Sequence, residues 1–203
     1  DRGCPRVVQV GRRLRARAVR RKGFDMDLTR TFDDHLHDLL KIMAAEGIRN
    51  AAVGLSGMVG AEIIVTDPHI RLVPMADIPT LLGGPEEEAV GIYLQAQGDL
   101  QGQIMLIMPC DKALELVDML MEQPRGTTQQ LGSLERSALA EVGNMTASFF
   151  LNAVAKRLHL DIRPSPPAVM VDMVAAILDI VAAISGGISE HVLLMQGAFM
   201  RDG

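Results

Sequence analysis

Shifted by 99 residues, the chain lines up with itself without a gap. Ile63 falls on Ile162, Pro68 on Pro167, Ile70 on Val169, Leu72 on Val171 and Ile78 on Ile177. Each segment reads as a long helix, an extended stretch interrupted by proline, and a shorter helix. A duplication limits the possible folds severely, because two copies that cannot each cover an apolar face bury a shared one. The repeat therefore predicts an α/β (α+β) domain with a pseudo-two-fold axis. Its long helices should pack on one largely antiparallel sheet.

The first long helix is expected near 33–60 and the second over about 134–158. Ser133 is the expected N-cap, with Glu135 favourably placed in the first turn. The extended stretches are "EIIVTDPHIRLV" and "LDIRPSPPAVMV", whose prolines suit an edge or a bend. "EEAVGIYLQAQGDL" and "QGQIMLIMP" read as a hairpin, followed by the helix "CDKALELVDMLM". "SEHVLLMQGAFM" is the second counterpart of the first hairpin strand. On this reading repeat one covers about 32–123 and repeat two about 131–203. The second repeat lacks its last strand and last helix.

Composition narrows the class. At 203 residues and 48% hydrophobic, the chain can bury a sizeable core. Two cysteines, Cys4 and Cys110, are too few for a disulfide framework and fit a reducing cytoplasm. The apolar run "MVDMVAAILDIVAAISGGI" is broken by Asp172 and Asp179, so no membrane insertion is expected. Scattered histidines give no metal-site spacing. No GxxxxGK[ST], GxSxG or HExxH occurs.

Charge is uneven. Residues 1–25 carry nine Lys/Arg and two Asp, whereas the rest carry 11 Lys/Arg and 23 Asp/Glu. The acidic body argues against nucleic-acid binding. Residues 1–25 are expected to be a basic, disordered extension without function. Residues 26–203 are expected to form a single domain.

The candidate site lies in "SALAEVGNMTASFF", Ser137 to Phe150. Leu134, Ala138, Val142, Met145 and Phe149 recur at helical spacing. Beside them runs a second stripe of Ser137, Glu141, Asn144 and Ser148. Glu141 and Asn144, three apart, can act on one object. The flanking residues are small, and a flat surface of that kind lets another protein approach closely. Exposure of Glu141 and Asn144 is expected, with Val142, Met145 and Phe149 buried.

From about Phe32 to Met200 the sequence resembles the CheC/CheX/FliY family of bacterial chemotaxis phosphatases. The residues that carry the resemblance stand in order: Glu141 with Asn144, then Ser165-Pro166-Pro167, then Asp172-Met173. "NAAVGLSGMVGAEI" and "GDLQGQIMLI" add support from the first half. The resemblance implies a cytoplasmic phosphatase in two-component signal transduction that hydrolyses the aspartyl phosphate of a CheY-type response regulator. It implies that Asn144 enters the regulator's site and holds water in line with the phosphate, and that Glu141 meets a regulator lysine. No cofactor of its own is implied; Mg²⁺ belongs to the regulator. CheD and the flagellar switch are further partners that the resemblance brings in, and it leaves a homodimer open.

The first repeat departs from the family pattern, which usually has the motif in both halves. The shift puts Ile42 where Glu141 stands and Ala45 where Asn144 stands. Neither can do the chemistry. The rival reading is a non-catalytic CheC-like binding module for a regulator, the flagellar switch or CheD. Ser165-Pro166-Pro167 is expected to shape a strand bend, Asp172 to cap or flank a helix over 172–184, and Cys110 to sit at a strand end.

Overall fold

A computed structural model describes residues 6–12, 26–60, 62–65, 69–184 and 191–201. The strands are β1 (Arg6–Arg12), β2 (Ile63–Val65), β3 (His69–Pro74), β4 (Glu88–Gly98), β5 (Gly102–Pro109), β6 (Ile162–Pro164), β7 (Ala168–Met173) and β8 (His191–Arg201). The helices are α1 (Met26–Val59), α2 (Ile78–Leu81), α3 (Cys110–Leu120), α4 (Ser133–Leu158) and α5 (Val174–Ile184). All strand pairs are antiparallel and form one sheet in the order β2-β8-β1-β5-β4-β6, with β3 also on β8 and β7 also on β4.

The α+β class and the pseudo-two-fold both stand. The axis carries β4 onto β8 with a shift of 103 residues, and β6 and β7 onto β2 and β3 with the shift of 99 read from the sequence. Thus Gly98–Ile162 has its counterpart in Arg201–Ile63, and Tyr93–Ala168 in Gln196–His69. Pro164, Pro166 and Pro167 of the second extended stretch fall at the sheet's outer end, where no second neighbour among the described residues needs their missing N–H, whereas Pro68 lies outside the described residues.

The N-terminal expectation is corrected for part of its length. Arg6–Arg12 is no structureless extension but a central strand between β5 and β8. It also occupies the place of the strand expected to be missing from the second repeat. Tyr93–Met105 maps onto Gln196–Val8, the pairs Val8–Ile107 and Val10–Met105 exchange, and Gln9–Leu106 lies on the axis. The symmetric units are therefore 6–98 and 102–201, with four strands each, rather than 32–123 and 131–203. The physical reason is the alternation in "RVVQVGR", which suits a strand although arginines dominate the segment's charge. The counterpart of α3 falls on 13–25, outside the described residues, as do 1–5.

Sheet alternation splits the core in two. Val90, Ile92, Leu94, Ile104, Leu106 and Met108 face the layer of α1, α3 and α4. Ala89, Tyr93, Met105, Ile107 and Leu194 face α2 and α5. Both faces of β4 are covered, so most of its residues are buried. The two long helices run against each other across the axis. Gly47 of α1 lets Phe150 of α4 come close, and Gly54 makes room for Met145 and Phe149.

Candidate functional site

Helix α4 runs Ser133–Leu158, close to its sequence limits. Glu135 in the first turn and Lys156 and Arg157 in the last suit the helix dipole. His159 closes it in the left-handed conformation, and the Leu160 N–H donates to the Ala155 carbonyl. The expected cap differs. Gly132 is the N-cap, Ser133 is the first helical residue, and no side chain caps the turn.

The buried face of α4 is Leu139, Val142, Gly143, Thr146, Ala147, Leu151 and Val154. Val142 is buried as expected. Met145 and Phe149 are half-buried against α1, and Leu134 is exposed. The apolar stripe sits further round the helix than its first residue suggests, because α4 packs on both the sheet and α1. Glu141 is exposed and Asn144 half-exposed on the remaining flank, with Ser137 exposed and Ser148 half-buried along the same stripe. Among the described residues no hydrogen bond or ion pair engages the side chain of Glu141 or Asn144.

What holds this pair in place lies between them. Gly143 rests on Ile92 of β4 so closely that a Cβ would overlap the Ile92 side chain. In the other half, Ala44 packs with Met195, the symmetry counterpart of Ile92. Seen along the chain, Glu-Val-Gly-Asn alternates between outward polar groups and inward packing groups.

The start of α4 is fixed by a residue that the sequence reading did not single out. Asp118, near the end of α3, is 2% exposed. Its Oδ2 accepts from the N–H groups of Gly126 (2.6 Å) and Thr127 (3.1 Å), and its Oδ1 from Thr128 (2.8 Å). Burial pushes its carboxyl up, but the Thr128, Gly126 and Thr127 hydrogen bonds outweigh it and hold the pKa below the usual value. The loop leading into α4 is thereby tied to α3. The available signal was an acid in an amphipathic helix followed eight to ten residues later by Gly-Thr-Thr.

Across the axis the equivalent surface is different in kind. Ile42 is 51% exposed and Ala45 half-buried. They line a shallow cleft of about 500 Å³ with Lys41, His69 and Ile70. Neither supplies a group that orients water.

The other singled-out residues are structural. Ser165 ties the bend between β6 and β7 to β4: its N–H donates to the Gln95 carbonyl, and its Oγ accepts from the Gln95 N–H. Asp172 lies in β7, one residue short of the position flanking α5, and its Oδ1 accepts from the Met173 N–H. Cys110 begins α3 directly after β5. Burial, then Glu88 and Asp111, push its thiol up, which works against a nucleophilic thiolate. Among the described residues no three His, Cys, Asp or Glu are arranged to hold a metal, and no helix is long and apolar enough to cross a membrane.

The family model described as CheC-like matches residues 134–171, which span α4, the Ser-Pro-Pro bend and most of β7. The chain is 27% identical over 161 residues to a Bacillus subtilis protein named CheY-P phosphatase CheC, covering 78% of this chain and 77% of that one. In three dimensions it is similar to FliY of Thermotoga maritima, with a TM-score of 0.67, 19% identity, and 82% and 83% of the two chains covered. A chain of the FliG–FliM complex of H. pylori matches with a TM-score of 0.52, 11% identity, and coverage of 87% and 94%. The last two likenesses concern the fold.

Proposed function

From the premise that this chain is CheC-like in sequence and fold, we propose that it hydrolyses the aspartyl phosphate of a CheY-type response regulator. The observation that carries the reading is Glu141 and Asn144, without side-chain partners among the described residues, on the open flank of α4 and held by Gly143 on the sheet. An acyl phosphate is already activated. Its hydrolysis needs mainly a positioned water and relief of developing charge. A carboxamide both donates and accepts, so Asn144 orients water without titrating. Glu141, one helical turn away, takes a regulator lysine and sets the docking register. Mg²⁺ resides in the regulator, and this chain brings no cofactor to the reaction.

The direct test is the decay of acyl phosphate on a phosphorylated CheY-type regulator with and without this chain. Unchanged decay at saturating concentration sinks the phosphatase reading. Binding without faster decay replaces it with a docking module. Glu141→Ala should raise the regulator concentration needed for half-maximal rate and leave the maximal rate near wild type. The gap between variant and wild type should shrink as salt rises, since an ion pair at a protein rim is screened over roughly 10 Å at 0.1 M salt. A gap that does not depend on salt is evidence against a lysine partner.

A further inference from the structure

Among the described residues the two halves of the sheet meet only through β1. On one side β8 carries β2 and β3; on the other β5 carries β4, with β6 and β7 beyond it. Strand β5 is tied to β4 by the short connection 99–101, whereas β1 has no hairpin partner among the described residues. Its neighbours in the sheet are residues 104–107 and 192–198, so both pairings are remote in sequence. Contacts of that kind form late, because a long loop must close before they contribute. Thirteen residues separate Arg12 from Met26.

The symmetry describes the slot. Seven pairs to β8 and four to β5 place β1 in the register that the two-fold axis requires. Most of that recognition is a backbone ladder, which any strand of suitable length and alternation can supply. We propose that Arg6–Arg12 is an exchangeable clasp, and that the gap between β5 and β8 is a strand-acceptor slot for this sequence, able to take it in trans. The occupant is β1 itself, from the same chain or from a second copy. The clasp sets whether the halves carrying Ile42 and Asn144 are joined through the sheet or only through α1 and α4.

Two measurements on the full chain test this. In the first, Val8→Pro removes a ladder hydrogen bond from a strand with neighbours on both sides. Amide exchange at 104–107 and 192–198 should accelerate about tenfold or more, while the β4–β7 amides keep their protection. Equal protection in variant and wild type overturns the clasp.

In the second, a protease site is introduced between Arg12 and Met26 and cut. A ¹³C-labelled peptide of residues 5–13, PRVVQVGRR, is then added in excess. Native mass spectrometry should show the labelled peptide replacing the original fragment one for one, with protection at β5 and β8 maintained. The peptide carrying Val8→Pro should compete at least about tenfold less well. Failure of the labelled peptide to enter, or equal entry by the proline peptide, overturns the slot.

Discussion

If the proposed phosphatase reading holds, Asn144→Ala should bring dephosphorylation of the regulator down by about 100-fold or more, towards its spontaneous rate, since small errors in placing a reacting group already cost that much. Its fold should survive. Asn144 is half-exposed and engages no partner among the described residues, so the substitution should change stability by about 0.5 kcal/mol or less. The first repeat provides no rescue, because the equivalent place holds Ala45 beside the exposed Ile42. Thermal melting should therefore superimpose for variant and wild type while the phosphate decay curves separate. A variant at the wild-type rate removes Asn144 from the mechanism. Ala45→Asn is the companion control. With the exposed Ile42 in place of a docking carboxylate, it should add no measurable activity at regulator concentrations below saturation.

The largest stability effect is expected at Asp118. Replacing it with Ala leaves the amides of Gly126, Thr127 and Thr128 without their acceptor, and a charged acceptor of this kind contributes more than a neutral one. Gly126 and Thr127 are exposed and can turn to water; Thr128 is half-buried. The expected loss is about 2–4 kcal/mol, measured by urea unfolding. Asp118→Asn should fall between Ala and wild type. Its carbonyl can take the two amides that share Oδ2, but its NH₂ then faces the Thr128 N–H.

The same carboxylate sets a pH dependence. Its folded pKa is lowered, so its contribution is complete above the unfolded value of about 3.9 and drains away as pH falls through the lower folded value. Wild type should lose stability in that acid window, and the Asn variant should lose less. Parallel curves would show that Asp118 is not the linked group.

Several parts of this fold were readable from residues because they rest on local pattern. The repeat, the span of α4 and the Ser-Pro-Pro bend follow from periodicity and from proline's missing donor. Other parts were not readable, for particular reasons. The strand "RVVQVGR" is short and flanked by arginines, and what makes it a strand is a gap between β5 and β8 that lies remote in sequence. Leu134 matched the helical period but stands 66% exposed, since periodicity reports a stripe and not where the neighbouring layers end. Asp118 looked like any surface acid, because the amides it accepts from follow it by eight to ten residues, beyond the end of its helix. Glu141 and Asn144 were legible as a pair on one flank of α4, and the structure adds what supports them.

That support changes what the motif is. Written as a carboxylate, two spacers and a carboxamide, it reads as two chemical groups on an indifferent rod. With Gly143 seated on Ile92, the spacers become a footing. A protein pressing on the Asn144 flank meets a helix whose backbone at Gly143 rests directly on the buried, β-branched Ile92 side chain. Close packing at that point resists sinking of the helix, and on the proposed reading this is what lets docking fix the position of the Asn144 carboxamide instead of bending its support.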